Sequence, residues 1–215
     1  MGISERKERE KQQRRTEIVN AAEKVFFTQG FKTATMDQVA EEAELSKGTL
    51  YLYFKSKEEL HFAINMRAGD IMYEYFSKAI HTNQNGLENT RNIGMAYIEF
   101  VKYNPKYFES IMHFQIKNVD DFISGSEYFK EHKKKNPLKL FIGVIEEGIK
   151  DGSIRSDIKP EIISHTLWAM ATGVFQHMSS KKLHMMKHDT DKEIDPEEYL
   201  QSFFQIIRNG ISHEK

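Results

Sequence analysis

The four prolines of this chain all stand where a helix would begin. Asn104-Pro105, Asn136-Pro137, Lys159-Pro160 and Asp195-Pro196 each open a segment with helical apolar spacing. Proline suits the first helical position, because its fixed φ is already helical and no partner exists there for the N–H it lacks. Asn or Asp just before it makes a good cap. Two capping boxes stand upstream, Thr35-Met36-Asp37-Gln38 and Ser56-Lys57-Glu58-Glu59, each pairing a hydroxyl with Gln or Glu three residues on. No window alternates polar and apolar residues over the length of a strand. The expected fold class is all-α.

Within that class the elements can be placed. Ile18, Ala21, Ala22, Val25 and Phe26 form one apolar stripe over residues 15–29, ended by Gly30. A second helix over residues 35 to about 42 buries Met36, Val39, Ala40 and Ala43. A third runs from 46 to about 53, and a fourth from 56 to about 76. Later helices are expected at 87–103, 105–114, 137–150, 160–178 and 196–211, with a less regular one at 121–133. Polar connections separate them at 82–86, 151–159 and 179–195.

Residues 45–60, LSKGTLYLYFKSKEEL, mix glycine, aromatics and lysines in a way that suits neither a core nor a plain solvent face. Two short helices joined by a tight turn, behind a supporting first helix, make a helix-turn-helix. In that arrangement the second short helix enters a DNA major groove. At 100° per residue, Leu50 points inward while Gly48 and Leu52 lie about 160° away, facing out. Thr49 and Tyr51 flank them. Gly48 removes side-chain bulk where backbone must approach another surface closely. Ser46 and Lys47 occupy the helix N-terminus, where free amides favour a phosphate. Tyr51 and Tyr53 offer hydroxyls to phosphate oxygens, and Lys55 and Lys57 add charge.

The run TATMDQVAEEAELSKGTLYLYFKSKEEL resembles the DNA-binding segment of the tetracycline-repressor (TetR) family of bacterial regulators. Thr35, Val39, Ala40, Ala43, Ser46, Gly48, Leu50, Tyr51, Tyr53, Phe54, Lys57 and Glu58 carry the resemblance, over about residues 15–63. It implies that Lys47, Gly48, Thr49 and Tyr51 face the major groove and that Thr35, Tyr53 and Lys57 hold phosphates. Lys47 can donate to guanine N7 and O6, and the Thr49 methyl can touch a thymine methyl. Phe54, and by an equal alternative Tyr51, reads as a core aromatic. One departure stands out: the family usually has glycine in the turn, and this chain has Glu44. A non-glycine residue in a left-handed turn costs on the order of 1 kcal/mol.

The expected division is a DNA-binding domain over residues 1–60 and a helical effector-binding and dimerisation domain over 61–215. The arm over residues 3–15 carries Arg6, Lys7, Arg9, Lys11, Arg14 and Arg15 against Glu5, Glu8 and Glu10. It suits either a DNA backbone or groove, or a solvated helix extension laced with i,i+4 pairs. The 160–178 and 196–211 segments have broad apolar surfaces. The resemblance implies that they pair with a second copy, through Ile163, Leu167, Met170, Val174, Phe203, Phe204, Ile207 and Ile211. It also implies a small lipophilic effector in an apolar pocket, for which Tyr97, Phe108, Met112, Phe141, Trp168 and Phe175 are the candidates. The partners so implied are a palindromic double-stranded operator, a second copy and an effector, acting by ligand release of a repressor, with the fourth helix as lever. An activator of the same fold, or a helical module that binds protein, are the alternatives.

Composition narrows the other classes. The chain has no cysteine, which excludes disulfides, thiolate catalysis and cysteine-ligated zinc. A formal charge of −1 supplies no global field toward nucleic acid or membrane. His177, His184 and His188 read as solvated, and the adjacent carboxylates Asp120-Asp121 and Glu146-Glu147 point to different helix faces. No phosphate loop or nucleophile elbow occurs. The expectation is no catalytic residue, no metal and no cofactor. Residues 1–10 have no apolar run of a secretory signal, and no stretch approaches the roughly 20 residues of a membrane span. A cytoplasmic location follows as the default.

Overall fold

A computed structural model describes residues 2–114, 135–179 and 195–213. Among them run α1 (Ile3–Gln29), α2 (Met36–Glu42), α3 (Lys47–Tyr53), α4 (Lys57–Ala79), α5 (Gly86–Tyr103), α6 (Pro105–His113), α7 (Pro137–Lys150), α8 (Pro160–Ser179) and α9 (Pro196–Ile211). Pro105, Pro137, Pro160 and Pro196 are each the first residue of a helix. Asn136 Oδ1 accepts from Lys139 N at 3.0 Å and Asp195 Oδ1 from Glu197 N at 3.1 Å, as caps should. The described residues contain no strand, only an isolated bridge between Ile154 and Ser212. The expected helix at 121–133, with Asp120 and Asp121, and the pair His184 and His188 lie outside the described residues.

Packing divides the chain into two compact units, one of residues 1–70 with 104–135, the other of 71–103 with 136–215. This grouping differs from the expected boundary between 60 and 61. The first turns of α4 and all of α6 pack with the N-terminal helices.

In the first unit, Ile18, Val19 and Ala22 of α1 meet Val39 and Ala40 of α2, Leu50 of α3, and Leu60 and Ile64 of α4 in one cluster, with Phe54 beside them. Side chains of this size each contribute about 1.5–3 kcal/mol when fully buried. Phe54 is therefore core. The basic arm is a continuation of α1, laced by Arg6–Glu10 at 2.9 Å and Arg14–Glu17 at 2.8 Å. On the α6 side, Tyr107 Oη donates to Glu23 Oε1 at 2.8 Å, and Arg67 binds Glu23, Asn20 and the Thr16 carbonyl. His61, only 3% exposed, lies stacked on Phe31 with its Nε2 2.9 Å from Ser110 Oγ. Burial there drives the imidazole pKa down to about 4, against the opposing pull of the Ser110 carbonyl.

In the second unit α5 and α7 cross at a pair of glycines, Gly86 and Gly148. A Cβ on Gly86 would overlap the Gly148 backbone. The connection after α7 then acts as a clasp. Asp151 Oδ2 accepts from Gly86 N at 2.7 Å, and Ser153 Oγ from Leu87 N at 3.1 Å. The Ser153 carbonyl accepts from His213 N at 3.2 Å, and Arg155 N donates to the Ile211 carbonyl at 2.9 Å. One short loop thus holds the start of α5 beside the end of α9.

Candidate nucleic-acid interface and cavity

The helix-turn-helix is built by ordinary capping. Thr35 Oγ1 accepts from Gln38 N at 3.3 Å while Gln38 Oε1 accepts from Thr35 N at 2.9 Å, closing the expected box at the start of α2. Ala43 caps α2, and two bonds end it: Glu44 N to the Glu41 carbonyl at 3.0 Å and Leu45 N to the Ala40 carbonyl at 2.9 Å. That pair is the Schellman arrangement, which wants a left-handed residue at Glu44. Glu44 has φ 54°, the one non-glycine residue with positive φ among those described. The turn is kept with the carboxylate residue strained in glycine's place. Ser46 then caps α3, its Oγ accepting from Thr49 N at 3.1 Å and lying 2.8 Å from Thr49 Oγ1.

The faces of α3 fall as the helical angles require. Leu50 is fully buried and Leu52 is 75% exposed. Lys47 and Gly48 are exposed and Thr49 half-buried. A Cβ on Gly48 would meet nothing nearer than Ser46 Oγ at 3.9 Å, so the fold itself does not demand glycine there. Tyr51 and Tyr53 are half-buried, their rings packed against the core cluster.

Three lysines have partners that the sequence did not announce. Lys47 Nζ lies 2.6 Å from Asp37 Oδ1, and that hydrogen bond and charge raise its pKa. Lys55 Nζ donates to the Tyr51 carbonyl at 2.8 Å, closing the end of α3. Lys57 Nζ donates to the carbonyls of Phe31 at 2.8 Å, Ala34 at 3.0 Å and Lys32 at 3.4 Å, over the Phe31 ring. An ammonium has three N–H donors, and all three are met. The structure therefore gives Lys57 the task of holding the α1–α2 loop, where a phosphate contact was expected.

The second unit encloses a cavity of about 810 Å³ between the end of α4, α5, α7, α8 and α9. Phe76, Tyr97, Phe141 and Trp168 make an aromatic wall, with Tyr97 and Trp168 ring centres 5.9 Å apart. Phe175 stands behind it, 5.2 Å from the Tyr97 ring. The Tyr97 hydroxyl lies 3.3 Å from Thr172 Oγ1, and burial raises its pKa. Of the expected pocket residues, Tyr97, Phe141 and Trp168 line this space. Phe108 and Met112 do not, because α6 packs in the first unit.

The expected interface residues also divide. Leu167, Phe203, Phe204, Ile207 and Ile211 line the cavity, and Ile163 is buried within the chain. Phe204 lies against Gly94, whose missing side chain makes room for the ring. These apolar faces line the chain's own interior. Val174 is half-buried, and Met170 is exposed. Three side chains that do face outward are Ile162, Met170 and Ile206, at 56%, 39% and 63% exposure. Among the described residues no cluster of three or more His, Asp or Glu could hold a metal ion. No described helix is long and apolar enough to cross a membrane.

The family model described as "Bacterial regulatory proteins, tetR family" matches residues 18–64, the segment from the middle of α1 into α4. The uncharacterized HTH-type transcriptional regulator YhgD of Bacillus subtilis is 30% identical over 138 residues, which is 64% of this chain and 70% of that protein. HTH-type transcriptional repressor KstR2 of Mycolicibacterium smegmatis is 26% identical over 150 residues, 70% of this chain and 72% of that one. The solved structure of fatty acid degradation regulator FadR from Bacillus halodurans superposes with a TM-score of 0.65 at 16% identity. It covers 94% of this chain and 97% of its own, a likeness of fold.

Proposed function

The chain belongs to the tetR family of bacterial transcriptional regulators, and from that premise we propose that it is a repressor released from DNA by a small ligand. Residues 1–60 read a palindromic operator, and residues 61–215 bind the effector and a second copy. One observation carries the DNA-reading role: the outer face of α3 presents Lys47, Gly48, Thr49 and Leu52 together, with Ser46 capping the first turn. Lys47 leaves Asp37 for a base edge or phosphate, and Tyr51 and Tyr53 supply hydroxyls to the DNA backbone. Ser46 and Thr35 keep their capping bonds while their backbones lie along it, and Lys57 acts by positioning the α1–α2 loop.

The homodimer forms through the outward face of α8 and α9, where Ile162, Met170 and Ile206 flank the small exposed residues Ala169 and Gly173. Small residues let helices approach closely, and a two-fold pair matches half-sites about 34 Å apart. An apolar cavity of about 810 Å³ lies within the usual range for small-molecule sites. The effector acts by favouring the conformer that does not fit the operator.

The test is selection from random duplex DNA at fixed salt, with Lys47→Ala plus Tyr53→Ala beside the native chain. A palindrome enriched by the native chain alone is expected. Equal, salt-sensitive retention of unselected DNA by both proteins would overturn base reading by α3.

A further inference from the structure

The cavity's rim carries a charge pattern that its apolar wall does not explain. Arg91 on α5 and Arg208 on α9 both line it, and neither has an ion-pair or hydrogen-bond partner for its guanidinium among the described residues. Their placement follows from two contacts. Gly94 of α5 receives the Phe204 ring of α9. Ser153 holds Leu87 N at the start of α5 and His213 N just past the end of α9. The two helices therefore run antiparallel along the cavity. Arg91 is one turn from Gly94 toward Leu87, and Arg208 is one turn from Phe204 toward His213. The register thus sets Arg91 and Arg208 at the same level of the rim.

Two carboxylates also border the cavity, and among the described residues neither forms an ion pair with Arg91 or Arg208. Glu88 Oε2 accepts from Asn85 N at 3.2 Å, closing the turn before α5. Glu197 lies in the first turn of α9, eleven residues from Arg208, or about 16 Å along the helix. Below the rim, Phe76, Tyr97, Phe141 and Trp168 offer no charge. Paired guanidiniums are forks suited to carboxylate or phosphate oxygens, and an aromatic wall suits an alkyl or ring body.

We propose that the cavity binds an anionic amphiphile, its acidic head between Arg91 and Arg208 and its apolar body against Tyr97 and Trp168. This rests on the effector-binding role proposed above and names the chemistry of that effector. An uncharged lipophile of the same shape leaves both arginines unmet and binds more weakly.

Trp168 is the chain's single tryptophan, so its emission reports the cavity directly. The full chain is titrated with dodecanoate, dodecyl phosphate, methyl dodecanoate and dodecyltrimethylammonium, each below its self-association concentration. Saturable changes are expected with both anions, and about tenfold or more weaker binding of the ester and the cation. Arg91→Ala with Arg208→Ala should bring the anions to the level of the ester while leaving the ester itself unchanged, which also shows the cavity intact. A preference for carboxylate over phosphate, or the reverse, then identifies the head. Equal affinity for acid and ester in the native chain overturns the proposal, as does an acid preference that survives in the double variant. So does the absence of any saturable response. DNA selection is scored separately: a chain that selects no operator yet keeps the arginine-dependent anion preference refutes the DNA-reading role and leaves this site standing.

Discussion

Replacing Gly48 by alanine separates what the fold needs from what a DNA groove needs. Gly48 is exposed in the first turn of α3, and an added Cβ meets nothing nearer than 3.9 Å. Alanine is a better helix former than glycine by about 0.5–1 kcal/mol. The free protein should therefore become slightly more stable. For a chain of this length that is a rise in melting temperature of about 1–4 °C. Operator binding should move the other way. A methyl group on the outer face of α3 lifts the helix from the groove floor and weakens the contacts of Lys47 and Thr49. One lost base contact of about 1–3 kcal/mol is roughly a fivefold to hundredfold loss of affinity. Thermal melts and fluorescence anisotropy with the selected operator measure both effects on the same protein. Unchanged affinity would refute close backbone approach at Gly48, and a clear drop in melting temperature would mean that glycine serves the fold after all.

The other expectations rest on single features. Glu44→Gly relieves the left-handed strain at φ 54° and should stabilise by about 0.5 kcal/mol once glycine's extra chain entropy is subtracted. Denaturant midpoints measure this, and a destabilised variant would show that the glutamate side chain contributes more than its backbone costs. Gly86→Ala drives a methyl group into the Gly148 backbone and should destabilise by about 3 kcal/mol. A near-native midpoint would mean that the α5–α7 crossing can open. His61 has a folded pKa of about 4 against 6.5 unfolded, so below pH 6.5 the unfolded chain takes up a proton that the native chain refuses. Its contribution is fully present above pH 6.5 and is lost as pH falls toward 4, about 3 kcal/mol in all. Between pH 7.5 and 4 the urea midpoint of the native chain should fall relative to that of His61→Phe, which has no proton to take up at this position. Parallel curves would refute a depressed His61 as the source of the acid loss.

Much of this was legible in local chemistry. The prolines at 105, 137, 160 and 196 and the caps at Thr35 and Ser46 mark helix starts because their effects act within a turn. The inward Leu50 and outward Leu52 follow from helical angle alone. What local chemistry leaves open has one cause. A stripe such as Phe203, Phe204, Ile207 and Ile211 shows that a face must be covered, and nothing in its spacing says whether the chain's own cavity or a second copy covers it. Lys57 looked free because its acceptors, Phe31 to Ala34, lie more than twenty residues away in sequence. Asp37 beside Lys47 is likewise a neighbour made only by packing. Phe108 and Met112 had the right composition for a pocket, but α6 is drawn to Glu23 and His61 in the first unit.

The three carbonyls gathered by Lys57 have a mechanical consequence. Lys57 is the first residue of α4, so its side chain fastens that helix to the loop entering α2. Sliding α4 along its axis by one residue's rise, about 1.5 Å, stretches those hydrogen bonds past useful length unless the loop travels too. Travelling together is the cheaper course, since it keeps three hydrogen bonds to a charged donor on half-buried and exposed carbonyls. A pull on α4 therefore reaches α2 by a tether of its own, in parallel with the chain path through α3, and the pair of short helices is towed as a single raft.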